Sequence, residues 1–220
     1  RVTEARVNPV ASRAPLPPGI RIAILAPAAG PQRPALDRAR KPPHTTIVDV
    51  PDVGRALPDS DVTVVVNGTF DRVNHHCFEE LVAQACRSTA GLAGGMVVGP
   101  DHAIVAAGLY ALSTGVLLNP FAGLQLGTEN APVQMRAVHR VASIAPLLFA
   151  VRTARFRSVL GGGIVRPDRL GSICEALVRS AHADGLDVLH TPFAVGTLRA
   201  PAPALDRKST RLNSSHVSES

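Results

Sequence analysis

The feature that most constrains the fold is the run of β-branched residues at 61–66 (DVTVVV). β-Branched side chains favour extended backbone, and a continuous apolar run is typical of a strand covered on both faces. The turn Asn67-Gly68-Thr69 follows at the carboxyl end of this run. The sequence therefore predicts a central strand of a parallel sheet that ends in a polar turn.

Strand and helix patterns alternate along the rest of the chain. Apolar and branched residues predict six further strands, at 20–25, 45–50, 96–98, 103–107, 145–151 and 186–190. Apolar residues at helical spacing predict three helices, with the stripes Phe78, Leu81, Val82 and Ala85; Phe156, Val159 and Leu160; and Ile173, Leu177, Val178 and Ala181. Asn74 is the expected cap of the first helix, and Asp168 or Ser172 of the last. This alternation predicts an α/β fold with a mostly parallel, right-handed crossover sheet.

Composition excludes several classes of protein. A chain of 220 residues that is 45% apolar is long enough to bury a core and is not disordered throughout. Its three cysteines form no CxxC pair, which excludes a disulfide scaffold and favours a reducing, cytoplasmic setting. No apolar run approaches the roughly 20 residues of a transmembrane helix. Although the net charge is +6, aromatic residues are only 3% of the chain, so nucleic-acid binding by base stacking is not expected.

The two ends of the chain differ in composition from its middle. Residues 1–19 are rich in proline and predict an irregular lead-in, and residues 20–205 form the expected domain. Residues 206–220 are mostly polar, and we expect a non-native or disordered tail there. The chain opens with Arg1, so we expect a fragment whose sheet is incomplete at the amino terminus.

The order of motifs over residues 61–201 resembles the later part of a family 2 glycosyltransferase with the GT-A fold. The resemblance is closest to bacterial members that build rhamnose-containing or other surface polysaccharides. The matching segments are 64–69 (VVVNGT), 78–82 (FEELV), 99–104 (GPDHAI), 107–108 (AG), 140–144 (RVASI), 148–152 (LFAVR), 156–162 (FRSVLGG) and 183–192 (ADGLDVLHTP). No single motif is diagnostic, and their order and spacing together carry the similarity.

The resemblance implies a chemistry and a setting. Members of the family transfer a sugar, with inversion, from a nucleotide-diphosphate donor to a hydroxyl of a glycan or lipid-linked acceptor. A carboxylate after the central strand holds Mg²⁺ or Mn²⁺, which neutralises the charge that develops on the diphosphate leaving group. A second carboxylate deprotonates the acceptor hydroxyl. The expected location is cytoplasmic, with peripheral association at the inner face of the membrane as an option.

Six candidate site residues follow from matching these motifs, and three of them have an alternative role. The resemblance assigns donor binding to Asn67, Gly68 and Thr69, and Thr69 stands where the family has its metal-binding aspartate. Asp71 could reach a metal from the same turn, or it could simply lead into the next helix. The candidate bases are Glu175, whose alternative is a solvated helix face, and Asp168, whose alternative is a helix cap.

Departures from the family motifs keep two other functions open. Thr69, Ala106 and Ala145-Pro146 each replace a residue that is frequent in the family. Their joint loss favours a catalytically inactive domain of the same fold, which would serve as a binding or assembly module. An unrelated Rossmann-like small-molecule binder is the third hypothesis.

The segment His75-His76-Cys77 could suggest a metal site. No second cluster at ligand spacing follows it, so the sequence favours the start of a helix there.

Overall fold

A mixed β-sheet lies at the centre of the computed structural model, which describes residues 15–26, 33–49, 57–127, 132–163 and 165–200. The predicted tail at 206–220 and most of the predicted lead-in lie outside these residues. The described strands are β1 Ile22–Ala26, β2 Thr45–Asp49, β3 Val62–Val66, β4 Phe70–Val73, β5 Ala90–Val98, β6 Ile104–Ala106, β7 Tyr110–Ala111, β8 Leu117–Leu118, β9 His139–Arg140, β10 Leu148–Arg152 and β11 Asp187–Leu198. The described α-helices are α1 Arg33–Arg38, α2 Cys77–Ala85, α3 Thr153–Leu160 and α4 Leu170–Ala183.

The main sheet has the strand order β2-β1-β3-β10-β5-β11-β4. Strands β2, β1 and β3 are parallel, β5 and β11 are parallel, and β10 runs antiparallel between β3 and β5. Five of these seven strands therefore point the same way, which confirms the α/β prediction in its coarse form. Strand β3 is buried at every position, as its unbroken apolar run predicts.

Helices cover both faces of the sheet. On one face, α1 packs against β4 and α2 packs across β11, β5, β10 and β3. The predicted stripe of Phe78, Leu81, Val82 and Ala85 is fully buried there. On the other face, α3 and α4 contribute Phe156, Leu170 and Leu177 to a second core. Helix α4 buries one apolar stripe, whereas eight of the nine residues of α2 are buried. Helices on both faces are the layered arrangement expected of an α/β domain. No helix among the described residues is long and apolar enough to cross a membrane.

Strand β5 is much longer than the predicted strand at 96–98, and glycine explains the difference. Nine residues form the strand, and the first six include three glycines, which sequence patterns treat as breakers. A Cβ atom on Gly94 would lie 2.6 Å from Ile144 Cγ2, and one on Gly95 would lie 2.7 Å from the Ala194 carbonyl oxygen. The glycines therefore let neighbouring chains approach the strand closely.

Two helix starts differ from the sequence prediction. Helix α2 begins at Cys77 behind His76, and α4 begins at Leu170 behind Arg169, in both cases without a capping side-chain hydrogen bond. The prediction that Asn74 caps the first helix is wrong, because the Asn74 side chain bonds to β11 instead. Asp168 precedes the last helix in a short 3₁₀ turn, where it pairs with Arg166 rather than capping α4.

Gly91 tests the close packing of β5 against α4. A Cβ atom at Gly91 would overlap the Cβ atom of Ala181, whereas one at Gly171 in α4 would meet nothing within 4 Å. We expect Gly91→Ala to lower the free energy of unfolding by about 1–3 kcal/mol, because the core has no room for the methyl group. Gly171→Ala is the matched control and should raise it by up to about 1 kcal/mol, since it removes backbone freedom from the unfolded chain. Urea unfolding measures both; equal stability of the two variants would contradict this packing.

Candidate functional site

The turn Asn67-Gly68-Thr69 lies at the carboxyl edge of the parallel strands, where open α/β sheets bind their ligands. The Asn67 amide N–H donates to the Leu147 carbonyl oxygen at 2.7 Å, and Asn67 Nδ2 donates to the Pro146 carbonyl oxygen at 3.0 Å. These two bonds hold the end of β3 to the start of β10. Asn67 and Gly68 are half-buried and Thr69 is exposed, so the turn is accessible at this edge.

The carboxyl end of β11 completes this edge. The Arg199 N–H donates to the Thr69 carbonyl oxygen at 2.8 Å, directly after the last residue of the strand. Phe70 is fully buried beneath the turn, and a Cβ atom on Gly68 would lie 3.1 Å from its ring. Because Arg199 is exposed, this contact places a guanidinium-bearing residue beside the turn. We define the turn edge as Asn67, Gly68, Thr69 and Arg199.

A bulge in β11 brings its carboxyl half to the turn edge. Thr191 pairs with Gly95 of β5, but the next pair is Val195 with Met96, so residues 192–194 bulge out of the ladder. Asn74 holds the bulge: its Nδ2 donates to the Phe193 carbonyl oxygen at 2.7 Å, and its Oδ1 accepts from the Val195 N–H at 3.1 Å. Bulges next to functional sites commonly redirect a strand in this way. Local sequence patterns carry no signal for this role, because the bonds span more than a hundred residues.

A buried carboxylate ties helix α2 to the same strand. Glu80 is 3% exposed, and its Oε1 accepts hydrogen bonds from Gln84 Nε2 at 2.9 Å and Thr191 Oγ1 at 2.8 Å. Its place in the first turn of α2 also suits the helix dipole. A buried carboxylate requires such donors, because an unpaired one would be costly to remove from water. Glu80 therefore anchors the strand at the start of its bulge.

Asp71, the predicted metal ligand, is exposed on β4 two residues beyond the turn. It is the only acidic residue within five positions of the turn in the sequence. Among the described ranges, no group of three or more His, Cys, Asp or Glu side chains is placed to hold a metal ion. The structure thus brings Asp71 to the strand that follows the turn, and its role as a ligand remains a prediction.

Asp168 and Glu175, the predicted bases, lie on the face of the sheet covered by α3 and α4. Asp168 pairs with Arg166 at 3.2 Å, and the carboxylate of Glu175 on α4 lies 4.0 Å from Arg179. Both carboxylates are well exposed. The described contacts include no hydrogen bond or ion pair that joins either residue to the turn edge. Their catalytic roles stay predictions.

A groove of about 370 Å³ separates the end of α3 from the start of α4. Polar and apolar residues line it together: Val159, Leu160, Gly163, Arg169, Ser172, Ile173 and Ala176. Asp168 and Glu175 are each adjacent in sequence to a lining residue, although neither lines the groove itself. Helix α3 ends at Leu160, and Gly161 follows it in the left-handed conformation, with φ of 56°, which glycine adopts readily.

The segment His75-His76-Cys77 forms the expected helix start. His76 Nδ1 lies 2.6 Å from Glu79 Oε2, three residues ahead on α2. Cys77 is fully buried, and burial raises the pKa of its thiol far above the ordinary value, so the thiolate that a metal needs is disfavoured. Cys174 is buried in the same manner, and burial raises its pKa to about 12. Both cysteines behave as small apolar residues.

The fold defines an α/β protein with a mixed, mostly parallel sheet of the Rossmann-like type. No protein-family model and no curated protein matches this chain.

Asn74 can be tested through its two bonds to the bulge. Asn74→Ala removes both and should lower the free energy of unfolding by about 1 kcal/mol, because water reaches this exposed site and replaces part of the loss. Asn74→Asp keeps the acceptor for Val195 but turns a carboxylate oxygen toward the Phe193 carbonyl oxygen, so it should also be less stable than the unmodified chain. Guanidinium unfolding measures the series. An Asn74→Ala variant as stable as the unmodified chain would be inconsistent with these bonds.

Proposed function

We propose that this chain is a glycosyltransferase-like domain that binds the diphosphate of a nucleotide-sugar donor at the turn edge. The observation that carries the proposal is the position of Asn67-Gly68-Thr69, which follows the fully buried β3 at the carboxyl edge of the sheet and is accessible there. The motif order over residues 61–201 supports the same family. The mixed sheet with helices on both faces is compatible with it.

The turn edge offers groups suited to a diphosphate. The Thr69 hydroxyl and the Asn67 amide are polar groups that can hydrogen-bond phosphate oxygens. Arg199 adds a permanent positive charge, and the guanidinium group matches phosphate as a two-pronged donor. Arg72 lies on β4 nearby, and its Nε donates to Thr197 Oγ1 at 3.4 Å. Positive charge therefore collects where the leaving group of a transferase would develop negative charge.

A divalent cation at the turn edge would have a single nearby carboxylate as a protein ligand. Mg²⁺ is commonly held by one or two carboxylates together with substrate phosphates and water, and Asp71 would supply the one carboxylate here. The cation would neutralise the diphosphate as the bond to the sugar breaks. Asp71 would hold it, while Asn67 and Thr69 would orient the donor.

Transfer also requires a base for the acceptor hydroxyl, and Glu175 and Asp168 are the candidates. The groove between α3 and α4 beside them would accept part of a glycan or of a lipid-linked acceptor. Both carboxylates are exposed, so an acceptor hydroxyl could reach either of them. The domain would act at the cytoplasmic side of a membrane where such acceptors are made.

Binding of the donor without transfer is the second candidate function, and the turn edge itself favours it. Thr69 cannot replace the charge of the aspartate that the family places there. The two exposed arginines, Arg72 and Arg199, can hold a diphosphate without a cation. A catalytically inactive domain of this kind would serve as a binding or assembly module beside an active partner.

Titration calorimetry with UDP-glucose and dTDP-rhamnose, each with and without Mn²⁺, tests both candidates. Binding that requires Mn²⁺ supports the transferase, and binding that ignores Mn²⁺ supports the inactive domain. Absence of binding to either donor under all conditions would overturn the proposal and leave an unrelated small-molecule binder. Release of free nucleotide on addition of a glycan acceptor then distinguishes transfer from binding.

Asp71→Asn tests the metal ligand directly. Under the transferase proposal the variant should lose the Mn²⁺-dependent part of donor binding, because the amide lacks the carboxylate charge that the cation needs. Asp59→Asn, at the amino end of the sheet, is the matched control and should bind as the unmodified chain does. A Mn²⁺ titration that Asp71→Asn leaves unchanged would remove Asp71 from the site.

Arg199→Ala tests the second candidate. Loss of a charge-assisted hydrogen bond to phosphate should weaken metal-free donor binding about 10- to 100-fold. Arg179→Ala on the exposed face of α4 is the control and should bind normally. If the two variants bind equally well, Arg199 does not contact the diphosphate.

A further inference from the structure

The imidazole of His190 is buried without a hydrogen-bond partner. His190 lies in β11 and is 1% exposed, and neither Nδ1 nor Nε2 has a partner among the described residues. Nearly all buried polar side-chain atoms in proteins are paired, so such a group calls for an explanation. Its burial makes it part of the core between β11 and the residues that cover it.

The covering residues belong to one segment, which we call the excursion: residues 99–127 and 132–143, between β5 and β10. A Cβ atom on Gly108 of the excursion would lie 2.7 Å from Val141 and 3.3 Å from the Cβ atom of His190. This glycine, with φ of 79°, allows the excursion to lie directly on the histidine. Protonated His190 would therefore have no route to solvent while the excursion stays in place.

A second histidine of the excursion lies against the first. The ring centroids of His139 and His190 are 5.1 Å apart, and the two residues are paired across β9 and β11. His139 Nδ1 bonds to the Ala137 carbonyl oxygen at 3.0 Å, and His139 Nε2 bonds to the Tyr110 hydroxyl at 2.6 Å. Since a carbonyl only accepts, Nδ1 carries the proton and Nε2 accepts from Tyr110. Both ring nitrogens of His139 are thus engaged, so His139 offers no hydrogen bond to His190.

Only a short ladder joins β9 to β11. The two pairs are His139 with His190 and Arg140 with Leu189, and the Val141 N–H donates to the Val188 carbonyl oxygen at 2.9 Å just beyond them. Ala142 and Ser143 also bond to Leu109 through their backbones, so Leu109 would move with them. The excursion is held elsewhere through β6 and a small core that includes Phe121 and Met135. Residues 137–143 can therefore separate from β11, together with Leu109, without loss of the main sheet.

The other ionisable groups around this ladder do not neutralise a charge on His190. Arg140 Nε is paired with Asp187 Oδ1 at 3.0 Å, and His182 of α4 bonds through Nε2 to the Ala142 carbonyl oxygen at 2.9 Å. Glu80 faces the opposite side of β11, where it accepts from Thr191. On β5, the residue in register with His190 is Gly94, which carries no side chain.

We propose that His190, packed against His139, forms an acid-sensitive latch that holds residues 137–143 on β11 at neutral pH and releases them when the His190 imidazole takes up a proton. The proposal rests on the contacts of this ladder and is independent of donor binding at the turn edge. It assigns a function to a buried histidine that no other contact explains. Release would open the excursion beside the amino-terminal stretch of β11.

The direction of the pH effect follows from the burial. Burial, and to a lesser extent His139, lowers the pKa of His190 to about 3, below the ordinary value of 6.5. The closed ladder thus favours neutral His190, and the open state gains the proton. The contribution to closure is fully present above pH 6.5 and is lost progressively as the pH falls from there toward 3. Within that window, the equilibrium constant for opening rises by about tenfold per pH unit.

Amide hydrogen exchange on the whole chain between pH 7.5 and 4.5 tests the latch. Rates are expressed as protection factors, so that the intrinsic pH dependence of exchange cancels. We expect protection of the Val141 amide to fall by about tenfold per pH unit below 6.5. The Ile104 amide, which donates to the Leu124 carbonyl oxygen at 2.8 Å elsewhere in the excursion, should change little and serves as the internal control.

Two variants identify the group that titrates. His190→Phe fills a similar space without a group that takes up a proton. The protection factor of the Val141 amide in this variant should therefore stay constant over the pH range. If the phenylalanine variant does not fold, His190→Gln replaces it. His182→Gln removes the neighbouring exposed histidine, and its Val141 protection factor should depend on pH as it does in the unmodified chain. If the Val141 protection factor falls with pH equally steeply in the unmodified chain and in His190→Phe, the proposal is overturned. So does an NMR titration in which His190 protonates near pH 6.5 while Val141 keeps its protection.

Discussion

Complete burial of β3 is the constraint on which the rest of the structure depends. Every side chain of this strand is removed from water, so both faces need helices and both edges need partner strands. Strand β1 pairs with one edge in parallel, and β10 pairs with the other edge in the antiparallel sense. The strand therefore ends in the middle of the sheet, at its carboxyl edge. Asn67 then bonds to residues 146 and 147 and fixes where the turn begins.

The sequence predicts the elements whose signal is local. The β-branched run at 61–66 and the helical stripes of α2 and α4 appear where their patterns place them, because burial alone determines those patterns. The length of β5 is missed, since its glycines are required by contacts with Ile144 and Ala194 that lie far away in sequence. Strand β4 is missed too, because four residues with one buried side chain carry no clear alternation.

The sequence predicts the position of the candidate site but not the distant contacts that support it. The turn at 67–69 follows from its position after β3, and the structure leaves it accessible. Asn74 illustrates what local patterns cannot supply: an asparagine before a helix predicts a cap, yet its amide bonds to Phe193 and Val195 of the bulge. The same applies to Glu80, whose buried role depends on Thr191. These partners are brought together only by the sheet, so no window of the sequence contains both.

The bulge at residues 192–194 divides β11 into two stretches with different neighbours. The amino-terminal stretch carries His190 and contacts the excursion, whereas the carboxyl-terminal stretch pairs with β4 and ends at the Thr69 contact. Because the ladder is interrupted between them, a shift in one stretch is absorbed before it reaches the other. The two ends of a single strand can therefore diverge as separate modules, and changes in the covering segment need not disturb the neighbouring turn.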